Sequence, residues 1–220
     1  FMENFKNLTS QQPLWRALGN SFFYAILTTV ICLLICSIAG YGFEVYHDKG
    51  KDRLFSILLL AMMVPQVATM VPLFKMFSKA KLLNTSIGFI LPIISTPFMI
   101  MMFRQNARAF PVDIIEAARI DGANQFQIYW KIFMPIMKPS LILVGVLNML
   151  TVWNDYLGPL IFLQDRSKYT LALGLASFKG VHSTQIIPML CITIIMIIPP
   201  IIIFIIAQKY IVEGTSGSIK

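Results

Sequence analysis

The sequence predicts an all-α fold, a polytopic bundle of transmembrane helices. Of its 220 residues, 57% are apolar and 13% are charged, whereas soluble domains are roughly 45–50% apolar and about 25% charged. The apolar residues gather in long stretches, and the charges lie mostly between these stretches. The high apolar content and the separation of apolar from charged stretches together indicate a membrane protein.

The net charge of +8 does not indicate nucleic-acid binding. The Lys and Arg residues are scattered through connecting segments, as is usual beside membrane spans, and form no stripe on a soluble domain. The cysteines, Cys32, Cys36 and Cys191, fall inside apolar stretches, where thiols behave as small hydrophobic groups. We expect no nucleic-acid partner, no disulfide framework and no metal site.

Five stretches are long and apolar enough to cross a bilayer, which requires about 20 residues for about 30 Å of hydrocarbon. The predicted spans are residues 17–43, 54–74, 85–103, 140–163 and 186–207. No repeat or flexible linker divides them, so we predict a single transmembrane domain over residues 1–220. The dense charges of residues 44–53 are expected to form a solvated turn.

Prolines interrupt most of these spans. They are Pro65, Pro72, Pro92, Pro97, Pro159, Pro199 and Pro200. Membrane helices tolerate an interior proline when neighbouring groups satisfy the carbonyl that it frees. We predict that the broken helices line a pathway through the membrane, although prolines are also simply common in membrane helices.

Polar residues mark one face of the fourth span. Asn148 and Asp155 are seven residues apart with Thr151 between them, so all three lie on one side of a helix. A carboxylate inside a span usually faces a polar cavity. We predict that Asn148, Thr151 and Asp155 line the translocation pathway. The alternatives are that Asp155 reaches water at the outer end and that Asn148 only joins two helices.

One polar segment, residues 104–138, separates the third and fourth spans and holds eight of the 28 charged residues. Pro111 suits the first turn of a helix, Asp113 places negative charge near its N-terminus, and Gly122 supplies a left-handed stop. A second helix is predicted from about Asn124 onward. The segment is therefore predicted to be a helix, a glycine bend and a helix at the membrane surface.

The same segment resembles the EAA loop of ABC importer permeases, in which this loop docks in a cleft of a cytoplasmic ATPase. The matching residues are Glu116, Ala117, Ala118, Asp121, Gly122, Ala123, Ile132 and Pro135. Met134 departs from the usual leucine, a volume-conserving change that docking should tolerate. The resemblance implies the type I ABC importer permease fold and a coupling role for these eight residues.

Individual roles follow from this resemblance. The Glu116 carboxylate is expected to meet a basic residue of the ATPase, although an interaction with the helix dipole alone would also explain it. Ala117 and Ala118 would allow close approach, Gly122 would make the bend, and Asp121 would hydrogen-bond the turn.

Further motifs are similar to the carbohydrate-uptake branch of these permeases, in the subunit type of the maltose-transporter G component. They are Leu83-Asn84-Thr85, Trp153-Asn154-Asp155-Tyr156, Pro159-Leu160-Ile161 and Gln208-Lys209-Tyr210-Ile211-Val212 with Gly214, Gly217 and Lys220. The subunit type has six spans, which implies that its first precedes the five present here. It also implies a cell-membrane location, a homologous second permease subunit, two ATPase subunits and an extracellular sugar-binding protein.

No phosphate-binding loop occurs, because the Gly50-Lys51 pair is followed by Asp52. We therefore expect no cofactor on this chain, no enzyme activity, and ATP and Mg bound by the partner ATPase. Ten Lys and Arg residues lie on the side of the 104–138 segment and eight on the other side, which weakly favours a cytoplasmic loop.

The resemblance to maltose-type importers implies a sugar, in particular an oligosaccharide, as the substrate, with glycerol phosphate or polyols as the alternative. A secondary transporter would not need the EAA-like loop. A protease is disfavoured because His47 and His182 both lie in connectors. A purely structural membrane subunit stays open at this point.

Overall fold

A computed structural model describes residues 14–46, 48–108, 110–177 and 186–216. All regular structure in these residues is helical, which confirms the all-α prediction. The predictions that concern His47, His182, Gly217 and Lys220 lie outside the described residues.

The helices of the described residues are α1 (Leu14–Val45), α2 (Lys49–Ala61), α3 (Gln66–Lys79), α4 (Ser86–Ile90), α5 (Pro97–Ala107), α6 (Val112–Ile120), α7 (Gln125–Ile128), α8 (Met134–Ile136), α9 (Lys138–Asn154), α10 (Leu157–Phe162), α11 (Leu171–Ser177) and α12 (Ile186–Ser216). A π-helical turn, Tyr129–Phe133, joins α7 to α8. A 3-10 turn, Arg166–Lys168, precedes α11.

The first and last predicted spans are continuous helices. Within the described residues, α1 and the Met189–Lys209 part of α12 are long and apolar enough to cross a membrane without a break. The 32 residues of α1 correspond to about 48 Å at 1.5 Å per residue, which is long enough to place its two ends on opposite sides of a bilayer. This helix is the axis against which α5, α9 and α11 pack.

The other predicted spans are broken. The chain bends by 101° between α2 and α3, just before Gln66, because Pro65 adopts an extended conformation there. Residues 85–103 divide into α4 and α5, and Thr96 caps the second of these by accepting a hydrogen bond from the Met99 amide. The fourth span breaks at Asp155, between α9 and α10. Each break follows a proline, which cannot donate a backbone hydrogen bond, or a residue whose side chain caps backbone amides.

Not every proline breaks a helix. Pro72 lies inside α3, and in the fifth predicted span the expected proline break is also wrong. Pro199 and Pro200 lie inside α12, which continues through both. Each proline costs an intrahelical hydrogen bond, but a long apolar helix keeps its remaining backbone groups paired only by staying helical. The exposed isoleucines of α12 suit a lipid environment; they include Ile194, Ile198, Ile202, Ile205 and Ile206.

Hydrogen bonds near the start of α1 fix the loop that precedes α11. Asn20 donates from Nδ2 to the carbonyls of Ser167 and Tyr169, at 2.9 and 3.0 Å. The Ser21 hydroxyl accepts from the Leu171 amide at 2.8 Å. Asn20 and Ser21 lie inside α1, and their side chains serve this tertiary contact.

Asn84 joins two further connectors near the same end of the bundle. It has a left-handed φ of 57°, its amide donates to the Phe162 carbonyl at 2.7 Å, and its Oδ1 accepts from the Asp165 amide at 3.1 Å. Hydrogen bonds from Ser167 hold the pKa of Asp165 below its usual range. Asn84 therefore ties the connector between α3 and α4 to the connector that follows α10.

The prediction of a solvated turn at residues 44–53 holds for Asp48 and Asp52, which are exposed, but it is wrong for Glu44. Arg104, at the end of α5, is only 7% exposed. Its Nε donates to Glu44 at 3.1 Å and its Nη2 donates to Asp52 at 3.0 Å. The Glu44 side chain is itself only 15% exposed. These contacts tie the segment to α5, because a buried guanidinium requires carboxylate partners.

Gly40 permits the closest approach between α1 and α5, since a Cβ added there would lie 2.5 Å from the Phe103 Cβ. We predict that Gly40→Ala lowers the thermal stability of the purified protein in detergent, at a cost of about 1–3 kcal/mol for overpacking. Gly42→Ala is the matched control, because nothing lies within 4 Å of its added Cβ. It should be neutral or slightly stabilising. Equal melting temperatures for the two variants would contradict the proposed contact.

Candidate coupling surface and membrane cavity

The first surface helix, α6, ends as the sequence predicts. Gly122 has φ +80°, the Ala123 amide donates to the Ala118 carbonyl at 2.9 Å, and the Gly122 amide donates to the Arg119 carbonyl at 3.0 Å. These two bonds form a Schellman motif, the usual helix end at a left-handed glycine. Both bonds join backbone groups. Among the described residues, the Asp121 side chain does not make the predicted hydrogen bond to the turn.

The second surface helix begins with a capping box that our reading of the sequence missed. Asn124 Oδ1 accepts from the Gln127 amide and Gln127 Oε1 accepts from the Asn124 amide, both at 2.9 Å. The Asn-x-x-Gln spacing carried this signal. The helix passes into a π-helical turn just before Pro135, where a wider turn accommodates the missing amide hydrogen. It then bends by 77° into α9.

Both surface helices pack on the end of α1 through one apolar cluster, which we call the loop cluster. Its buried members are Tyr41, Ala107, Phe110, Ile115, Ala118, Ile128, Tyr129, Phe133 and Met137. Tyr41 packs edge-to-face on Phe133 with ring centroids 4.6 Å apart. The hydroxyls of Tyr129 and Ser37 are hydrogen-bonded at 2.7 Å. The loop is therefore fastened to α1 and does not hang free.

Opposite this packed side, α6 presents an exposed surface. Glu116 and Ala117 are exposed, and Ile120 is 87% exposed although it is apolar. On the second surface helix, Phe126 is 71% exposed. A carboxylate beside large exposed apolar groups is typical of a surface that binds another protein. We call these four residues the coupling surface.

The remaining predicted coupling residues divide between the two sides. Ala118 is 7% exposed and belongs to the loop cluster, so its predicted contact with a partner is corrected to packing within this chain. Ala123 and Ile132 are partly buried against the same cluster. Asp121, Gly122 and Pro135 are exposed. The EAA-like residues thus form two groups. One group packs the loop onto α1, and the other is exposed to solvent.

A cavity of about 460 Å³ lies where the breaks of three predicted spans meet. This volume falls in the range of roughly 300–1,000 Å³ that is typical of small-molecule sites. Its polar lining residues are Gln66, Thr69, Thr96, Thr151, Asn154 and Asp155. Phe89 and Phe162 contribute apolar wall. Gln66, Thr69 and Thr151 are exposed, which places one side of the cavity at the surface of the chain.

The predicted pathway residues separate in the structure. Thr151 and Asp155 line the cavity, but Asn148 does not. Asn148 is 1% exposed and donates from Nδ2 to Thr29 Oγ1 of α1 at 3.1 Å. The structure thus places Asn148 between α9 and α1, in agreement with the alternative that it joins two helices. Asp155 lies at the C-cap of α9 in an extended conformation, so the helical spacing no longer holds it on the face of Asn148.

Asp155 contributes a carboxylate to the lining of the cavity. Its Oδ1 accepts from the Gly158 amide at 3.1 Å, which starts α10 at the break. Gly158 has no room for a side chain, because an added Cβ would collide with the Asp155 carboxylate and lie 3.2 Å from Phe89. Among the described residues that line the cavity, only Asp155 carries a formal charge. The site therefore combines one oriented carboxylate, neutral polar groups and aromatic wall.

Comparison with known proteins identifies the family. The family described as "Binding-protein-dependent transport system inner membrane component" matches residues 33–217. The chain belongs to this family. The permease is 35% identical over 218 residues to the lactose transport system permease protein LacG of Rhizobium radiobacter, covering 99% of this chain and 80% of LacG. It is 36% identical over 221 residues to AraQ, an arabinooligosaccharides transport system permease protein of Halalkalibacterium halodurans, covering 100% and 79%.

A solved structure supports the fold of the permease. It is described as the crystal structure of a bacterial ABC transporter involved in the import of the acidic polysaccharide alginate. The TM-score is 0.84 at 24% sequence identity, over 94% of this chain and 79% of that chain. The predicted ABC importer permease fold is confirmed, and the permease is a membrane component of a transport system.

The left-handed bend predicts a specific response to substitution. Gly122→Ala places a Cβ in the αL region at a cost of about 1–2 kcal/mol, whereas Gly122→Asn tolerates that region better. We expect amide hydrogen exchange of Ala123 to quicken roughly tenfold in Gly122→Ala and clearly less in Gly122→Asn. The same protection in both variants would show that the bend does not depend on the left-handed conformation.

Proposed function

We propose that this permease forms half of the translocation pathway of an ATP-driven sugar importer and couples it to a separate ATPase by alternating access. The coupling surface carries the proposal, because its exposed acidic and apolar residues project from helices that are fastened to α1 through the loop cluster. An isoleucine and a phenylalanine that are exposed to water on a packed loop indicate a surface that binds another protein. A cleft in a cytoplasmic ATPase fits this chemistry.

The proposed assembly contains a homologous second permease subunit, two ATPase subunits and an extracellular sugar-binding protein. ATP and Mg bind to the ATPases. Closure of the two ATPases moves the coupling surface, and the loop cluster passes the movement to α1. The broken helices of the two permeases then reopen the pathway toward the other side. This coupling requires that the surface binds differently in the two states.

The proposed orientation places the coupling surface in the cytoplasm. Residues 44–53 lie at the same end of the bundle as the loop, as the Arg104 contacts require. The ends that meet at Asn84 and Asn20 then face outward. This orientation agrees with the slight excess of basic residues on the loop side.

The cavity supports a neutral sugar as the substrate. Hydroxyl groups can donate to the Asp155 carboxylate and pair with Gln66, Thr69 and Asn154, while aromatic wall suits the apolar faces of sugar rings. A carboxylate repels phosphate and uronate groups, which disfavours glycerol phosphate. The names of the relatives LacG and AraQ also point to sugars. We therefore propose a neutral oligosaccharide, with polyols as the remaining alternative.

The coupling role predicts the effect of reversing one charge. In the assembled transporter, Glu116→Lys should abolish most sugar-stimulated ATP hydrolysis, because a repulsive contact replaces a charge-assisted one. Asp113→Lys is the matched control, with the same charge change in the first turn of α6. If Glu116 served only the helix dipole, Asp113→Lys would have the larger effect, since the dipole acts mainly on the first turn. Full activity of Glu116→Lys and of Gly122→Pro would refute the coupling role.

The charge of the cavity predicts substrate preference. We expect Asp155→Asn to strengthen competition by an acidic sugar against uptake of a neutral disaccharide, because the repulsion is removed. Asp165→Asn is the control, since it removes an exposed carboxylate in the loop before α11. Uptake into proteoliposomes measures both. An unchanged competition constant in Asp155→Asn would exclude this residue from substrate selection.

A further inference from the structure

Arg104 is a buried cation shared by three helices. It lies in the last turn of α5, and its guanidinium donates to Glu44 near the end of α1 and to Asp52 in the first turn of α2. The same guanidinium lies over the Phe55 ring of α2, 4.1 Å from its centroid. One side chain thus contacts α1 and α2 with separate nitrogens while it belongs to α5.

This site adjoins the attachment of the coupling loop. Arg104 lies six residues before Phe110 and Glu44 lies three residues after Tyr41; Phe110 and Tyr41 are both members of the loop cluster. One residue before Arg104, Phe103 meets α1 at Gly40. Arg104 therefore lies at the end of the bundle where α5 leads into the surface helices, beside the end of α1.

Stability alone explains this cluster poorly. Well-packed apolar residues often stabilise a buried site as well as an ion pair does, because burial of charges is costly. A guanidinium adds fixed directions, since its planar fork holds two carboxylates at defined angles. A lysine ammonium keeps the charge but lacks the fork and the planar stacking on Phe55. Beyond its charge, Arg104 therefore supplies fixed directions for its hydrogen bonds to the two carboxylates.

We propose that Arg104 is a positioning residue for energy coupling, which clamps the inner ends of α1, α2 and α5 into one unit. Displacement of the surface helices is then passed to all three helices together. Without the clamp, independent movement of the three helix ends absorbs part of the displacement. This inference rests on the proposed coupling to an ATPase. It states that Arg104 determines how efficiently ATP hydrolysis drives transport.

The test measures the number of ATP molecules hydrolysed per sugar transported, with the complete transporter and its binding protein in proteoliposomes. Arg104→Met should raise this ratio at least about fivefold, the lower bound of a typical coupling free energy, and Arg104→Lys should raise it less. A purely structural role would reduce the amount of assembled transporter and lower both rates together, which leaves the ratio unchanged.

Arg108→Gln is the matched control. Arg108 reaches the same Glu44 oxygen at 3.6 Å, but its side chain is 56% exposed, so its loss should leave the ratio within about twofold of wild type. If Arg104→Met fails to assemble, Arg104→Lys decides the question, because it preserves the charge beside both carboxylates. An unchanged ratio in assembled Arg104→Lys and, where it assembles, Arg104→Met overturns the proposal.

Glu116→Lys in the same assay separates this inference from the proposed function. Loss of ATPase attachment or stimulation in Glu116→Lys, together with normal ratios in the Arg104 variants, would overturn only the role of Arg104. Full coupled transport by Glu116→Lys would instead remove the coupling surface, and the role of Arg104 would fall with it.

Discussion

The packing of the surface helices on the end of α1 is the contact on which the rest of the structure depends. Tyr41 of α1 lies against Tyr129 and Phe133 of the loop, and the Tyr129 hydroxyl reaches Ser37 one turn further along α1. This arrangement leaves the opposite surface of α6 free to face water. It also connects that surface directly to the longest helix of the bundle. An exposed loop without such packing would move independently of the membrane domain.

A second constraint is that backbone groups inside a membrane must be paired, which decides how the broken spans are built. Thr85 caps α4 and Thr96 caps α5 through their side-chain oxygens, and Asp155, one residue before the N-cap Tyr156 of α10, accepts a hydrogen bond from the Gly158 amide. Each capping residue satisfies amides that a break would leave unpaired. Two of them, Thr96 and Asp155, also line the cavity. The groups that make the breaks possible therefore supply part of its polarity.

Much of this architecture could be predicted from sequence, because hydropathy, proline and glycine act locally. Spans, the surface helices and the bend at Gly122 follow from such signals. Contacts between distant segments were not predictable in the same way. Asn148 is polar on a helix, but only the position of Thr29 decides that it is buried. Arg104 and Glu44 are 60 residues apart, so the charged segment looked like an ordinary turn. Pro199 and Pro200 show that a local signal can also yield to a long apolar helix.

The hydrogen bonds of Asn20 and Ser21 have a mechanical consequence for α1. They hold one end of this rigid rod to the loop before α11, while the loop cluster grips the other end. A rod that is held at one end and pushed at the other pivots about the held end. Its displacement then grows with distance from the pivot, so a given rotation of α1 moves its coupling end much further than the end held by Asn20 and Ser21.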